Sequence, residues 1–140
     1  MTVLGRNVAA DQAGSTIIEF AVALPILTFF IYGIFAVGRL YEANAGIQHA
    51  LGEGARYATL CLNPTSSGCT NPTDDQIKTK ISNKLFGLAD SAGWSTPTIT
   101  TNTTSKTKTI TVRYQETPDF LFVRGPTITL TRSKVVYYPS

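Results

Sequence analysis

From Phe20 to Gly38 the chain runs nineteen residues without a charge, FAVALPILTFFIYGIFAVG, bounded by Glu19 on one side and Arg39 on the other. At about 1.5 Å rise per residue, a helix of that length nearly crosses the ~30 Å hydrocarbon core of a bilayer. A helix that is apolar all round must be covered on every side. The sequence has 140 residues, and residues 59–140 offer too little chain to wrap such a helix inside a soluble core. A cleaved secretory signal is the other alternative, with Ala43-Asn44-Ala45 as a small-x-small site. The run exceeds the usual apolar region of about 7–15 residues, and Arg39 and Glu42 crowd that site. A retained membrane helix is therefore the expectation.

Charged residues make up only 15% of the chain and the formal net charge is +3, with no basic run. The clustered basic footprint of a nucleic-acid binder is missing, so no nucleic-acid partner is expected. One histidine and two cysteines leave few ligands for a metal. No nucleophile–base pair, carboxylate dyad or phosphate-cradling loop is visible. The chain does not read as an enzyme and implies no cofactor. His49 has no partner at catalytic or ligand spacing and is expected as an exposed helix residue.

Residues 1–14 are small and polar, with Arg6 and Asp11 cancelling, so the flanking charges give little help with membrane orientation. Glu19 is the unusual residue. A carboxylate at the centre of a membrane helix costs about 2.5–3.5 kcal/mol, and less near its edge. No lysine or arginine lies within a turn or two of it. A cut after Gly14 would free an α-amine on Ser15, roughly 6 Å from Glu19 along the axis. With a reference pKa near 8, that amine is mostly protonated at neutral pH. It could neutralise Glu19 of its own or a neighbouring subunit. An interfacial carboxylate snorkelling to headgroups, and a Gly14 that merely caps or breaks a helix, are the plainer alternatives.

Gly14, Glu19 at the fifth position after it, then Phe20 and a long apolar helix, resembles the type IV prepilin cleavage signature. Ala21–Pro25 (AVALP), Gly33-Ile34-Phe35 and Gly38-Arg39 resemble the opening of the TadE-like family, minor pilins of the Tad/Flp (type IVc) pilus. Glu53-Gly54-Ala55-Arg56-Tyr57-Ala58 is similar to that family's EGAR-type motif. The resemblance is dense over residues 14–58 and thins to a general strand pattern beyond. It implies a leader over 1–14 that a prepilin peptidase removes between Gly14 and Ser15. It also implies pilin partners (the major Flp pilin and sibling TadE/TadF-like minor pilins), an inner-membrane assembly platform and membrane lipid. The function it implies is a minor pilin or pseudopilin that enters or primes the pilus, in surface adhesion, biofilm formation and sometimes DNA uptake. A major shaft subunit is disfavoured, since Flp shaft pilins are much shorter. The alternative from a different class is an uncleaved, bitopic, membrane-anchored periplasmic binding or secretion-apparatus protein.

Pro25, Gly33 and Gly38 interrupt the apolar run. They either permit close packing and slight unwinding among filament helices or reflect the frequency of these residues in membrane helices. Beyond Arg39, Leu40, Ala43, Ile47, Ala50 or Leu51, Gly54 and Ala58 recur at three- and four-residue spacings, opposite Glu42, Asn44, Gln48, His49 and Glu53. One long helix over 15–58 is expected, its outer half laid on a globular domain formed by 59–140. Glu53 and Arg56 stand at i, i+3, suited to an intrahelical pair or to a contact with another subunit.

Cys61 and Cys69 flank a turn-rich loop, and either a local disulfide or two buried thiols is open. A disulfide would add about 2–3 kcal/mol and would place this domain on an oxidising side such as the periplasm. Thr73 with Gln76 forms a capping box for a helix to about Ala89, whose inner face is Ile77, Ile81, Leu85 and Leu88. Thr98–Thr103 and Lys108–Gln115 read as a hairpin around Ser105, with Ile110, Val112 and Tyr114 on one face. Thr127–Tyr138 reads as a third strand whose broken alternation calls for a bulge or for burial of both faces. Phe120-Leu121-Phe122-Val123, between Pro118 and Pro126, either fills the core beneath the sheet or faces a neighbouring pilin or the membrane. The expected fold class is α+β and pilin-like. A long N-terminal helix packs on a small domain with one helix and a three- to four-stranded antiparallel sheet.

Overall fold

The computed structural model of the protein describes residues 12–65, 68–88, 91–120 and 123–138. Of the expected leader over 1–14, residues 1–11 lie outside the described residues. Helix α1 runs from Gln12 to Ala58 without interruption, 47 residues and about 70 Å. It begins before Ser15 and passes through Gly14 and Pro25. Pro25 lacks the amide that would bond the Ala21 carbonyl. Three residues on, the Thr28 hydroxyl donates to the Leu24 carbonyl at 2.8 Å.

The rest of the chain forms an α+β head on the distal half of α1. A short hairpin of β1 (Asn63–Thr65) and β2 (Gly68–Thr70) precedes α2 (Asp74–Ser82). A 3-10 turn at Ser91–Gly93 leads into β3 (Trp94–Asn102), and β4 (Thr107–Glu116) follows. A second small hairpin, β5 (Asp119–Phe120) with β6 (Val123–Arg124), leads to β7 (Ile128–Tyr137). The main sheet is antiparallel in the order β3-β4-β7, with α1 and α2 on one face.

The periodic stripe of α1 becomes the core. Ala43, Ile47, Ala50, Leu51, Ala55 and Ala58 are buried against Ile77 and Ile81 of α2, Ile110, Val112 and Tyr114 of β4, and Val136 of β7. Each large aliphatic side chain so removed from water contributes about 1.5–3 kcal/mol. The small residues in the stripe let the helix lie close. A Cβ on Gly46 would collide with the Phe86 carbonyl oxygen, and one on Gly54 with the Ile81 side chain. Across the layers, Arg132 Nε donates to Asn44 Oδ1 at 3.0 Å.

α2 carries both halves of its capping box. Gln76 N donates to Thr73 Oγ1 at 3.3 Å, and Thr73 N donates to Gln76 Oε1 at 3.0 Å. The expectation of a helix to Ala89 is corrected, because α2 stops at Ser82 and Ala89 lies outside the described residues. The backbone turns at Asn83 and Lys84, whose amides bond back to Thr79 and Ile81, and again at Gly87 with φ of 69°. Leu85 and Leu88 still reach the core, from a loop.

The hairpin around Ser105 forms, with Asn102 Oδ1 accepting from the amides of Thr104 and Ser105 at 3.0 and 3.1 Å. Neither explanation offered for the third strand applies. β7 pairs with β4 in unbroken register from Thr107↔Tyr137 to Glu116↔Ile128. Val136 is buried while Val135 and Tyr137 are 57% and 73% exposed. Among the described residues only one face of the sheet is covered, which leaves Val135 and Tyr137 of β7 bare. The register shift falls in β3, between Ser95 and Thr98. Buried Pro97 lies there and has no amide for the ladder.

Candidate functional site

The proximal half of α1 carries the largest apolar surface of the molecule. From Ile17 to Val37 its large side chains are exposed, Phe20 at 66% and Phe35 at 68%. The most apolar 18-residue stretch has none of its residues buried. In water such a surface is unstable, so this half-helix must be covered by lipid or by other helices.

At its start the Ser15 hydroxyl donates to Glu19 Oε1 at 3.4 Å, one helical turn away. This partner is neutral and not cationic, and the i, i+4 spacing of Ser15 and Glu19 was the signal for it. Both side chains are exposed. A Cβ at Gly33 or Gly38 would meet nothing within 4 Å, so these glycines leave shallow, open places on the rod.

The EGAR residues lie at the other end, roughly 50 Å along the helix from Glu19, and form no common site with it. Gly54 and Ala55 are buried, Glu53 is half-buried and Arg56 is exposed. Among the described residues the ion pairs are Lys78–Asp75 and Lys108–Asp74, so the intrahelical pair considered for Glu53 and Arg56 does not form. Gly54 has a packing task, seating α2 on α1 through Ile81. Just beyond, Cys61 and Cys69 are joined in a disulfide with their Cα atoms 5.4 Å apart, and Cys69 itself pairs with Pro64 in the β1–β2 hairpin. His49 is exposed, its ring edge-on to Phe86 at 5.6 Å.

Sequence reasoning missed what the head does where it overhangs α1. The Phe120 ring lies 6.0 Å from that of Phe29, so β5 reaches the flank of the apolar helix and Phe120 does not fill the core beneath the sheet. Leu121 and Phe122 lie outside the described residues, and Val123 is 61% exposed. Above this contact a cavity of about 660 Å³ opens between Tyr32, Phe35 and Arg39 of α1 and Glu116 and Asp119 of the head. Below it a second, of about 750 Å³, is walled by Leu24, Phe29, Phe30 and Phe120. Tyr32 borders both. Among the described residues no group of three or more His, Cys, Asp or Glu side chains is arranged to hold a metal.

In comparison with known proteins, residues 14–56 match the model of a family described as TadE-like protein. The match begins at Gly14 and ends at Arg56, taking in the bare half of α1 and the stripe that carries the head. No curated protein and no solved structure matches the chain.

Proposed function

We propose that this chain, TadE-like over residues 14–56, is a minor pilin of a Tad/Flp-type pilus, cleaved after Gly14 and assembled through its bare apolar helix. The family match implies a Tad-pilus-associated, pilin-like protein, and the family is structural and not enzymatic. The observation that carries the finer reading is the coincidence of that match with a helix apolar all round and uncovered over Ile17–Val37. The precursor is held in the membrane by this segment, and the filament later replaces lipid with other pilin helices around it. Gly33 and Gly38 offer places for their close approach. The disulfide fits a head on the oxidising side of the membrane, in the periplasm and then on the pilus, in adhesion and biofilm formation.

Cleavage converts a helical Ser15 amide into a cation one turn from Glu19. The Ser15 hydroxyl already sits within 3.4 Å of that carboxylate, so the new amine arises on a residue whose side chain faces it. A peptidase needs extended substrate, and α1 passes unbroken across Gly14–Ser15. The first turn must therefore open, which costs little at a helix end. This helical continuity is also what favours the second reading, an uncleaved bitopic anchor.

Intact mass of the membrane-extracted protein separates the two. A mature chain beginning at Ser15 supports the pilin, and a chain retaining residues 1–14 defeats it. Within the pilin reading, Glu19→Ala is expected to be cleaved normally while pilus assembly falls. Normal piliation in that variant would remove the charge pair from the account.

A further inference from the structure

Two cavities lie along α1, one on either side of the Phe29–Phe120 contact, and Tyr32 borders both. The upper one presents a cation, Arg39, opposite two carboxylates, Glu116 and Asp119, and the lower one is walled by apolar and aromatic side chains. Glu116 is only 9% exposed, and its Oε2 is buried with no hydrogen-bond partner. A carboxylate oxygen withdrawn from water without a donor is costly, and native structures rarely leave one so. Among the described residues Arg39 makes no ion pair. It closes the apolar run, at the depth where headgroups and interfacial side chains meet.

We propose that this groove binds a phospholipid whose headgroup carries a primary ammonium. The ammonium N–H groups donate to Glu116, the phosphate faces Arg39, and an acyl chain lies past Tyr32 in the cavity between Phe29 and Phe120. The order of chemistries along the helix matches that of the lipid, with charge at Arg39 and hydrocarbon toward Leu24. A quaternary ammonium has no N–H to give Glu116, and an uncharged headgroup adds no cation beside the two carboxylates. The proposal rests on the reading of α1 as a membrane span, and it does not depend on cleavage at Gly14.

The test is native mass spectrometry of the full chain released from vesicles of phosphatidylethanolamine, its mono- and dimethylated forms, phosphatidylcholine and phosphatidylglycerol, all with the same acyl chains. Retention should fall stepwise with methylation, to about one-tenth for phosphatidylcholine, with phosphatidylglycerol also weak. Glu116→Gln should flatten the series while the circular-dichroism melt stays cooperative. Arg39→Gln, at an exposed position, should lower retention of all the phospholipids. Equal retention across the methylation series in the unaltered chain overturns the site, whatever the variants do. So does a series that survives Glu116→Gln, or a second copy of this chain excluding lipid from the groove. Recovery of the chain from the aqueous phase without lipid overturns the membrane span itself.

Discussion

Gly46 and Gly52 share a helix and differ only in what stands over them. At Gly46 the Phe86 carbonyl fills the place of a Cβ, whereas at Gly52 nothing lies within 4 Å. Gly46→Ala should cost about 1–3 kcal/mol through overpacking. Gly52→Ala should stabilise by about 0.5–1 kcal/mol, the usual gain from relieving glycine's entropy in a helix. Denaturant unfolding of the detergent-solubilised chain measures both, and effects of the same sign would remove the close-approach argument. At Gly54 the place of a Cβ is taken by the Ile81 side chain, not by backbone, which gives the EGAR glycine a physical reason inside the molecule. The stripe of small residues was legible in the sequence, but Gly46 was not among the residues read into it. The carbonyl that lies over Gly46 belongs to a loop whose position no local pattern encodes.

Nine residues make α2 too short to persist alone, so its cap and its docking share the task of holding it. Thr73→Ala should cost about 1 kcal/mol and Thr73→Ser much less, because the serine oxygen still accepts from Gln76 N. A melt in which the two variants coincide would show that the box contributes nothing. The disulfide anchors the segment between α1 and α2. Replacing Cys61 and Cys69 by serine together should cost about 2–3 kcal/mol, and a reductant should lower the melting temperature of the unaltered chain but not of the double variant. The capping box and the hairpin around Ser105 were readable because their signals are contiguous. The end of α2 was not, because Leu85 and Leu88 keep helical spacing while Asn83 and Gly87 turn the backbone that carries them.

The molecule is built on a rod about 70 Å long, with a head on its distal half whose β5 reaches the other half at Phe29. Its two halves differ in cover. The outer half buries a narrow stripe under the sheet, and the inner half leaves its large apolar side chains exposed. An alkaline carbonate wash should therefore leave the chain with the membrane, and its release into the supernatant would mean that the bare half finds its cover in protein alone. The overhang of β5 onto Phe29 brings the head alongside the apolar segment.

The sequence by itself determined the long helix, the division of that helix into an apolar half and a striped half, the face of β4 that turns inward and the cap of α2. Each depends on hydrophobic periodicity or hydrogen bonding between residues a few positions apart, which any local stretch displays. Tertiary structure alone decided that Arg39 and Glu116 would line one cavity and that Phe120 would leave the core for Phe29. It also decided that the outer face of β7 would stay uncovered. Those pairings join residues far apart in the chain, and they follow from how the layers stack, a property that exists only once the chain has folded.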